Sequence, residues 1–189
     1  MKRLGWVGLS AALLLSGCGT ESATGATPAT QAPEVRRTAT PTPTPTPPPP
    51  VCPASGAMIT VGPVEAALGH RAVVVKLTNC RKAPITLNGY PDVGVLNGRR
   101  RPMKVTVARG TSYMAIDPGP ARIHLAKGET AVAVVAWSNT VEVAEDKASG
   151  AYLAVAPHPG ERQAVWPVDT DLGTTARITL TAWCRKLPN

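Results

Sequence analysis

The chain has 189 residues, a formal net charge of +8 and a sequence pI of about 9.7; it carries 20 prolines and no phenylalanine. Once the proline-dense N-terminal part is set aside, the length suffices for one domain with a real core and not for two comfortable ones. The basic residues are scattered, with no recognition helix and no zinc-finger spacing, which excludes nucleic acid as the partner the charge was built for.

In chain order, Lys2 and Arg3 precede an apolar stretch from Leu4 to Leu15, and small residues then lead to Cys18, the layout of a secretory signal over residues 1–17. A dozen apolar residues cannot cross a bilayer core of roughly 30 Å, so the stretch reads as a leader to be removed. Leu15-Ser16-Gly17-Cys18 resembles the lipobox of bacterial lipoproteins. That resemblance implies a diacylglyceryl group on the Cys18 thiol, and the membrane as a partner through that anchor. Each buried methylene contributes about 0.8 kcal/mol, and two acyl chains hold where one is marginal.

Residues 18–50 are built from Thr, Ala, Pro, Ser and Gly, with Val35 as the one large aliphatic residue. Such a segment cannot bury enough apolar surface to offset its ordering entropy, so a disordered Thr/Pro-rich linker is expected. The prolines from Pro41 to Pro50 favour polyproline II, and at about 3.1 Å per residue the stretch from Thr40 spans roughly 35 Å. The arm reads as a spacer that carries a domain outward through an envelope layer, and the expected location is extracytoplasmic.

Residues 51–189 hold 16 basic and 10 acidic side chains, about +6, which suits anionic neighbours outside a membrane. Their periodicity is that of strands. Val73, Val75 and Leu77 alternate with Val74, Lys76 and Thr78; Thr130 to Trp137 is apolar on both faces and reads as a central strand. In "ARITLTAW" the alternation puts Ile178, Leu180 and Ala182 on one side and Thr179, Thr181 and Trp183 on the other. Shorter strands are expected at Met58–Val61, Pro84–Leu87, Val93–Leu96, Met103–Val107, Arg122–Leu125, Tyr152–Ala156 and Ala164–Val168. Gly, Pro, Asn and Asp mark the turns between them. "NTVEVAEDKAS" is the one place read as a short turn of helix. Many short strands with close turns predict an all-β fold, an antiparallel β-sandwich.

Beyond Cys18 the cysteines are Cys52, Cys80 and Cys184, which allow three single bridges with one thiol left over. The favoured pair is Cys52 with Cys80, which would tie the linker junction to the end of "VVVKLTNC" and leave Cys184 free. Four stretches then suggest a family: "CPASGAMITVGPVEAALGHRAVVVKLTNC", "PITLNGYPDVGVLN", "LAKGETAVAVVAW" and "YLAVAPHPG". Together they resemble the domain of unknown function family 4232, of secreted and lipid-anchored actinobacterial proteins. The resemblance implies an immunoglobulin-like sandwich at the envelope and no activity. It also implies a second cysteine pair in many members, for which Cys184 has no evident mate.

No G-x-S-x-G elbow, H-E-x-x-H helix or S-x-x-K is present, and nothing sets a nucleophile beside a base, so no catalytic residue, cofactor or metal site is expected. A thiol dyad of Cys184 with one of the histidines is outweighed by a structural thiol. The class rival is an extracytoplasmic copper carrier using His70, His124, His158, Met58, Met103 and Met114 as soft donors. Against it, each Met reads as core filler and each His as a loop residue. Arg99, Arg100 and Arg101 form the one dense basic cluster, in a predicted hairpin near Lys104. Guanidinium forks there suit phosphate or carboxylate. Tyr90 and Trp166, beside prolines, are candidate surface aromatics for a binding face, Tyr90 as a contact with the arginines, with turn packing as the equal alternative; Trp137 is a core one. The expected function is non-catalytic binding of an envelope protein or an anionic cell-wall polymer.

Overall fold

The computed structural model describes residues 51–143 and 147–188. The predicted leader, Cys18 and the Thr/Pro-rich linker lie outside the described residues, as do residues 144–146 of the stretch read as a helical turn; residues 139–143 and 147–148 beside them form no helix.

The described residues form eleven strands: β1 Ala57–Val61, β2 Glu65–Ala67, β3 His70–Asn79, β4 Ile85–Asn88, β5 Asp92–Leu96, β6 Thr106–Arg109, β7 Arg122–Leu125, β8 Thr130–Ser138, β9 Ser149–Ala156, β10 Ala164–Asp171 and β11 Arg177–Leu180. One sheet runs β1-β3-β8-β11-β6, with β2 also on β3; a second runs β10-β9-β5; β4 and β7 pair by themselves. All pairings are antiparallel except β6 with β11. The orders β1-β3-β8 and β5-β9-β10 are those of the A-B-E and C-F-G strands of an immunoglobulin-type sandwich. The C-terminal β11 takes the fourth place in the first sheet.

Alternation dictates the core. Val73, Val75 and Leu77 of β3 pair with Val135, Ala133 and Ala131 of β8 on the inner face, and all six are fully buried. They meet Val93 and Val95 of β5 and Leu153 and Val155 of β9, with Leu87, Ile123 and Leu125 from the small sheet. Each such Val, Leu or Ile contributes about 1.5–3 kcal/mol on burial. The outer face of β8 is apolar for a local reason. Met114 and Ala115 of the β6–β7 loop and Leu187 near the C-terminus lie over Ala72, Val134 and Ala136, forming a second, smaller core outside the sheet.

Two expected strands come out differently. The stretch Met103–Val107 is divided between the sheets: Pro102 bridges Leu96 and the Met103 amide donates to Val95, whereas Thr106–Arg109 runs beside β11. The chain crosses from one sheet to the other there. The strict alternation read in "ARITLTAW" fails after Leu180. Leu180 pairs with Val135, yet Cys184 bridges Val132, so one extra residue has entered the β11 side. Thr181 makes the irregularity, since its hydroxyl accepts from the Val134 amide at 2.9 Å while its own amide donates to the Val134 carbonyl at 3.0 Å. A single inserted residue reverses which face later side chains take. Trp183, expected outside, is consequently fully buried, its indole N–H donating to the Pro157 carbonyl at 2.8 Å.

One pole of the sandwich is closed by Asn79. Its fully buried side-chain amide donates to the carbonyls of Ala83 (3.0 Å) and Leu125 (2.8 Å) and accepts from the Arg81 amide at 3.0 Å. Its backbone pairs with Gly128 and Glu129. Beside it Cys80 is joined to Cys52, Cα–Cα 5.9 Å, the bridge favoured from the sequence. At the other end Gly150 lies so close to Val95 and Thr170 that no Cβ fits there.

Asn79→Ala removes one buried bond, to the Leu125 carbonyl, and two half-buried ones, to the Ala83 carbonyl and from the Arg81 amide, and the expected loss of unfolding free energy is about 2–3 kcal/mol, read from urea denaturation. Replacing Cys52 and Cys80 by Ser frees a loop closed across 28 residues, and calorimetry under the same conditions is expected to show a loss of about 2–4 kcal/mol.

Candidate functional site

The arginine hairpin is built by one side chain. Asn97, at the end of the β5 rung, accepts through Oδ1 from the amides of Arg99 (2.9 Å) and Arg101 (3.0 Å), and its carbonyl accepts from Arg100 at 2.8 Å. The turn forces Arg100 to φ 57°, a left-handed conformation that a non-glycine residue adopts at some cost. Three consecutive arginines therefore do not act alike. The Arg100 guanidinium lies 5.1 Å from the ring centre of Tyr152, a cation–π contact that fixes it on the outer face of β9. Arg99, Arg101 and Lys104 are exposed, and among the described residues none of them makes an ion pair.

The register defines the surface on which this hairpin sits. Outward positions of β5, β9 and β10 form the rows Asp92–Ala156, Gly94–Ala154–Val165 and Leu96–Tyr152–Pro167. The middle row is small and apolar, with Val165 42% exposed, and the last row adjoins the hairpin. Tyr152 was not singled out from the sequence; the signal available was only its alternation with Leu153, and its meeting with Arg100 is a product of the fold.

Tyr90 is not part of this surface. It lies before β5, at the opposite end from the arginines, and packs on the core. Its hydroxyl donates to Asp117 Oδ2 at 2.7 Å, which, with burial and the Asp117 charge, raises the phenol above its ordinary value; Arg109 over the ring, 5.4 Å away, opposes this. Asp117 Oδ1 in turn accepts from the Ala182 amide at 2.7 Å, so Asp117 fastens the β6–β7 loop to the C-terminal segment and Tyr90 holds Asp117 in place. Trp137 is the expected core residue, its indole N–H donating to Asp171 at 3.0 Å. Trp166 pairs with Leu153 and thus turns inward, packing on the core at the sheet edge.

Cys184 is a free, buried thiol. It lines a cleft of ≈ 460 Å³ with His124 and Arg122. Burial pushes its pKa up, the Asp117 charge adds to this, and a hydrogen bond with the backbone of Lys186 offsets it in part. Thiolate chemistry needs the opposite shift. The neighbouring Arg185 is engaged elsewhere, with Glu129 at 3.2 Å and the His124 carbonyl at 2.7 Å. Glu129 also accepts from the Ala126 amide at 2.7 Å, closing the turn of the Leu125–Glu129 step; that bond first, and Arg185 second, lower its pKa.

The soft donors are dispersed. His70, stacked on Tyr113 at 4.3 Å, shares a cleft of ≈ 210 Å³ with Met114. His124 bonds Thr86, His158 faces Glu161, Met103 packs on the core and Met58 lines another cleft. Among the described residues no three His, Cys, Asp or Glu side chains converge as a metal site.

The raised Cys184 pKa gives a direct expectation. In the folded chain, alkylation by iodoacetamide at pH 8 is expected to be at least tenfold slower than for a free cysteine and to recover that rate in denaturant, as followed by mass spectrometry.

No curated protein and no solved structure matches the chain. Residues 52–184, spanning the sandwich from the disulfide to the buried thiol, match the family described as a domain of unknown function, DUF4232, and the chain belongs to that family.

Proposed function

We propose that this is an exported lipoprotein, acylated at Cys18 and held at the outer face of the membrane, whose sandwich is a non-catalytic binding module for an anionic envelope partner. Residues 18–50 serve as the spacer. The partner is recognised through phosphate or carboxylate groups, and Arg99 and Arg101 make the contact, with Lys104 beside them. The observation that carries this reading is the hairpin: Asn97 and Tyr152 fix its shape while two guanidinium groups are exposed with no acidic neighbour paired to them among the described residues. A pre-shaped cationic turn loses little entropy on binding and offers forked donors to planar or tetrahedral anions. The raised pKa of Cys184 supports a binding role over thiol catalysis.

Two measurements test the reading. Mass spectrometry of the native protein is expected to find the chain starting at a diacylated Cys18; an unmodified thiol in a protein free in the medium would remove the anchor. Binding to purified anionic wall polymer is expected to fall at least tenfold in the Arg99→Gln/Arg101→Gln variant and to weaken between 50 and 200 mM salt. Lys82→Gln/Lys127→Gln, both exposed at the Asn79 pole away from the hairpin, serves as a matched loss of two charges and is expected to change little; equal losses in both variants would reduce the effect to net charge.

A further inference from the structure

The sandwich is open along one side, where the edge strands β1 and β10 of opposite sheets face each other. The opening is a cleft of ≈ 610 Å³, within the range of small-molecule sites of about 300–1,000 Å³. It reaches the core: Ile59, buried, and Trp166, packed on the core cluster, line it with Met58, Ala164 and Pro157.

Both edges are blunted against an added strand. Pro63 ends the edge shortly after the five residues of β1, and Pro167 lies within β10, so either edge offers only a short ladder. A peptide docking by strand addition therefore finds poor terms, and the apolar walls are what the cleft offers. The charges at its rim are unequal. Glu161 lies 3.8 Å from His158, an ion pair only when that imidazole is protonated, and Gln163 donates to Asp92 at 3.2 Å. Arg162 is the one Lys or Arg lining the cleft and makes no ion pair among the described residues. An apolar slot with one unpaired cation at its mouth complements a chain that is apolar along its length and anionic at one end.

We propose that the seam between β1 and β10 is a binding site for a long-chain fatty acid, its tail between Ile59 and Trp166 and its carboxylate at Arg162. The site is separate from the arginine hairpin and does not depend on acylation of Cys18.

The test uses the full-length chain carrying Cys18→Ser, stripped of lipid and titrated calorimetrically with laurate, dodecanol and dodecylamine below their aggregation concentrations. One laurate per chain is expected, with dodecanol and dodecylamine at least tenfold weaker. Arg162→Gln is expected to weaken laurate about tenfold and leave dodecanol unchanged. Ala164→Trp, which fills the slot, is expected to abolish both without lowering the melting temperature. Should that variant unfold, Thr60→Glu at the rim stands in, and is expected to weaken laurate alone. Failure of laurate to bind, equal binding of dodecylamine, or laurate binding unmoved by these substitutions would overturn the assignment. So would a concentration-dependent sedimentation rate of the lipid-free chain that a rim substitution abolishes, which would give the seam to a second copy.

Discussion

The pole that receives the chain at Cys52 is organised by a single buried amide. Asn79 ends the longest strand, and both of its side-chain N–H groups and its oxygen are spent on backbone: the carbonyls of Ala83 and of Leu125, at the end of β7, and the amide of Arg81. A polar group at zero exposure is tolerable only when fully paired, and here pairing locks three chain segments to one another. The disulfide at the next residue and the Glu129–Arg185 clasp across the adjoining turn act on the same region. This pole is thus held by directional bonds, whereas the middle of the sandwich is held by non-directional burial.

That division leaves the functional surfaces elsewhere. The arginine hairpin projects from the far end of β5, on a sheet face whose middle row is Gly94, Ala154 and Val165. The seam opens between the two edges that the topology does not join. The prolines at Pro63 and Pro167 matter to the seam, because the edge strands β1 and β10 that flank it are otherwise templates for pairing with other chains. With these edges blunted, the sandwich can present a face and a cleft without recruiting strands.

Several arginines that look available in the sequence are committed in the fold. Arg100 lies on Tyr152, Arg185 on Glu129, Arg109 on Tyr90, and Arg71 approaches Asp171 at 3.7 Å. A basic composition therefore does not by itself locate a binding surface. Other lysines and arginines, Lys82, Lys127 and Arg177 among them, are exposed and make no ion pair among the described residues; Arg99, Arg101 and Lys104 differ from these in sharing one loop.

Alternation along β3 and β11, with the doubly apolar run of β8 between them, determined the fold class and most of the core, because an inner and an outer face demand a period of two wherever a strand is regular. Turn residues set the strand count to within one; β2 was missed because Glu65–Ala67 carries no alternation to read. The Cys52–Cys80 pair was legible from its place at a strand end. Only the tertiary structure decided the rest: the inserted residue near Thr181 that turns Trp183 inward, the crossing between sheets at Met103–Val107, and the burial of Tyr90 against Asp117. The seam, too, exists only once two sheets are stacked. Periodicity reports a local environment, whereas a bulge, a sheet crossing or an open edge depends on which distant strand lies alongside, and no window of sequence contains that partner.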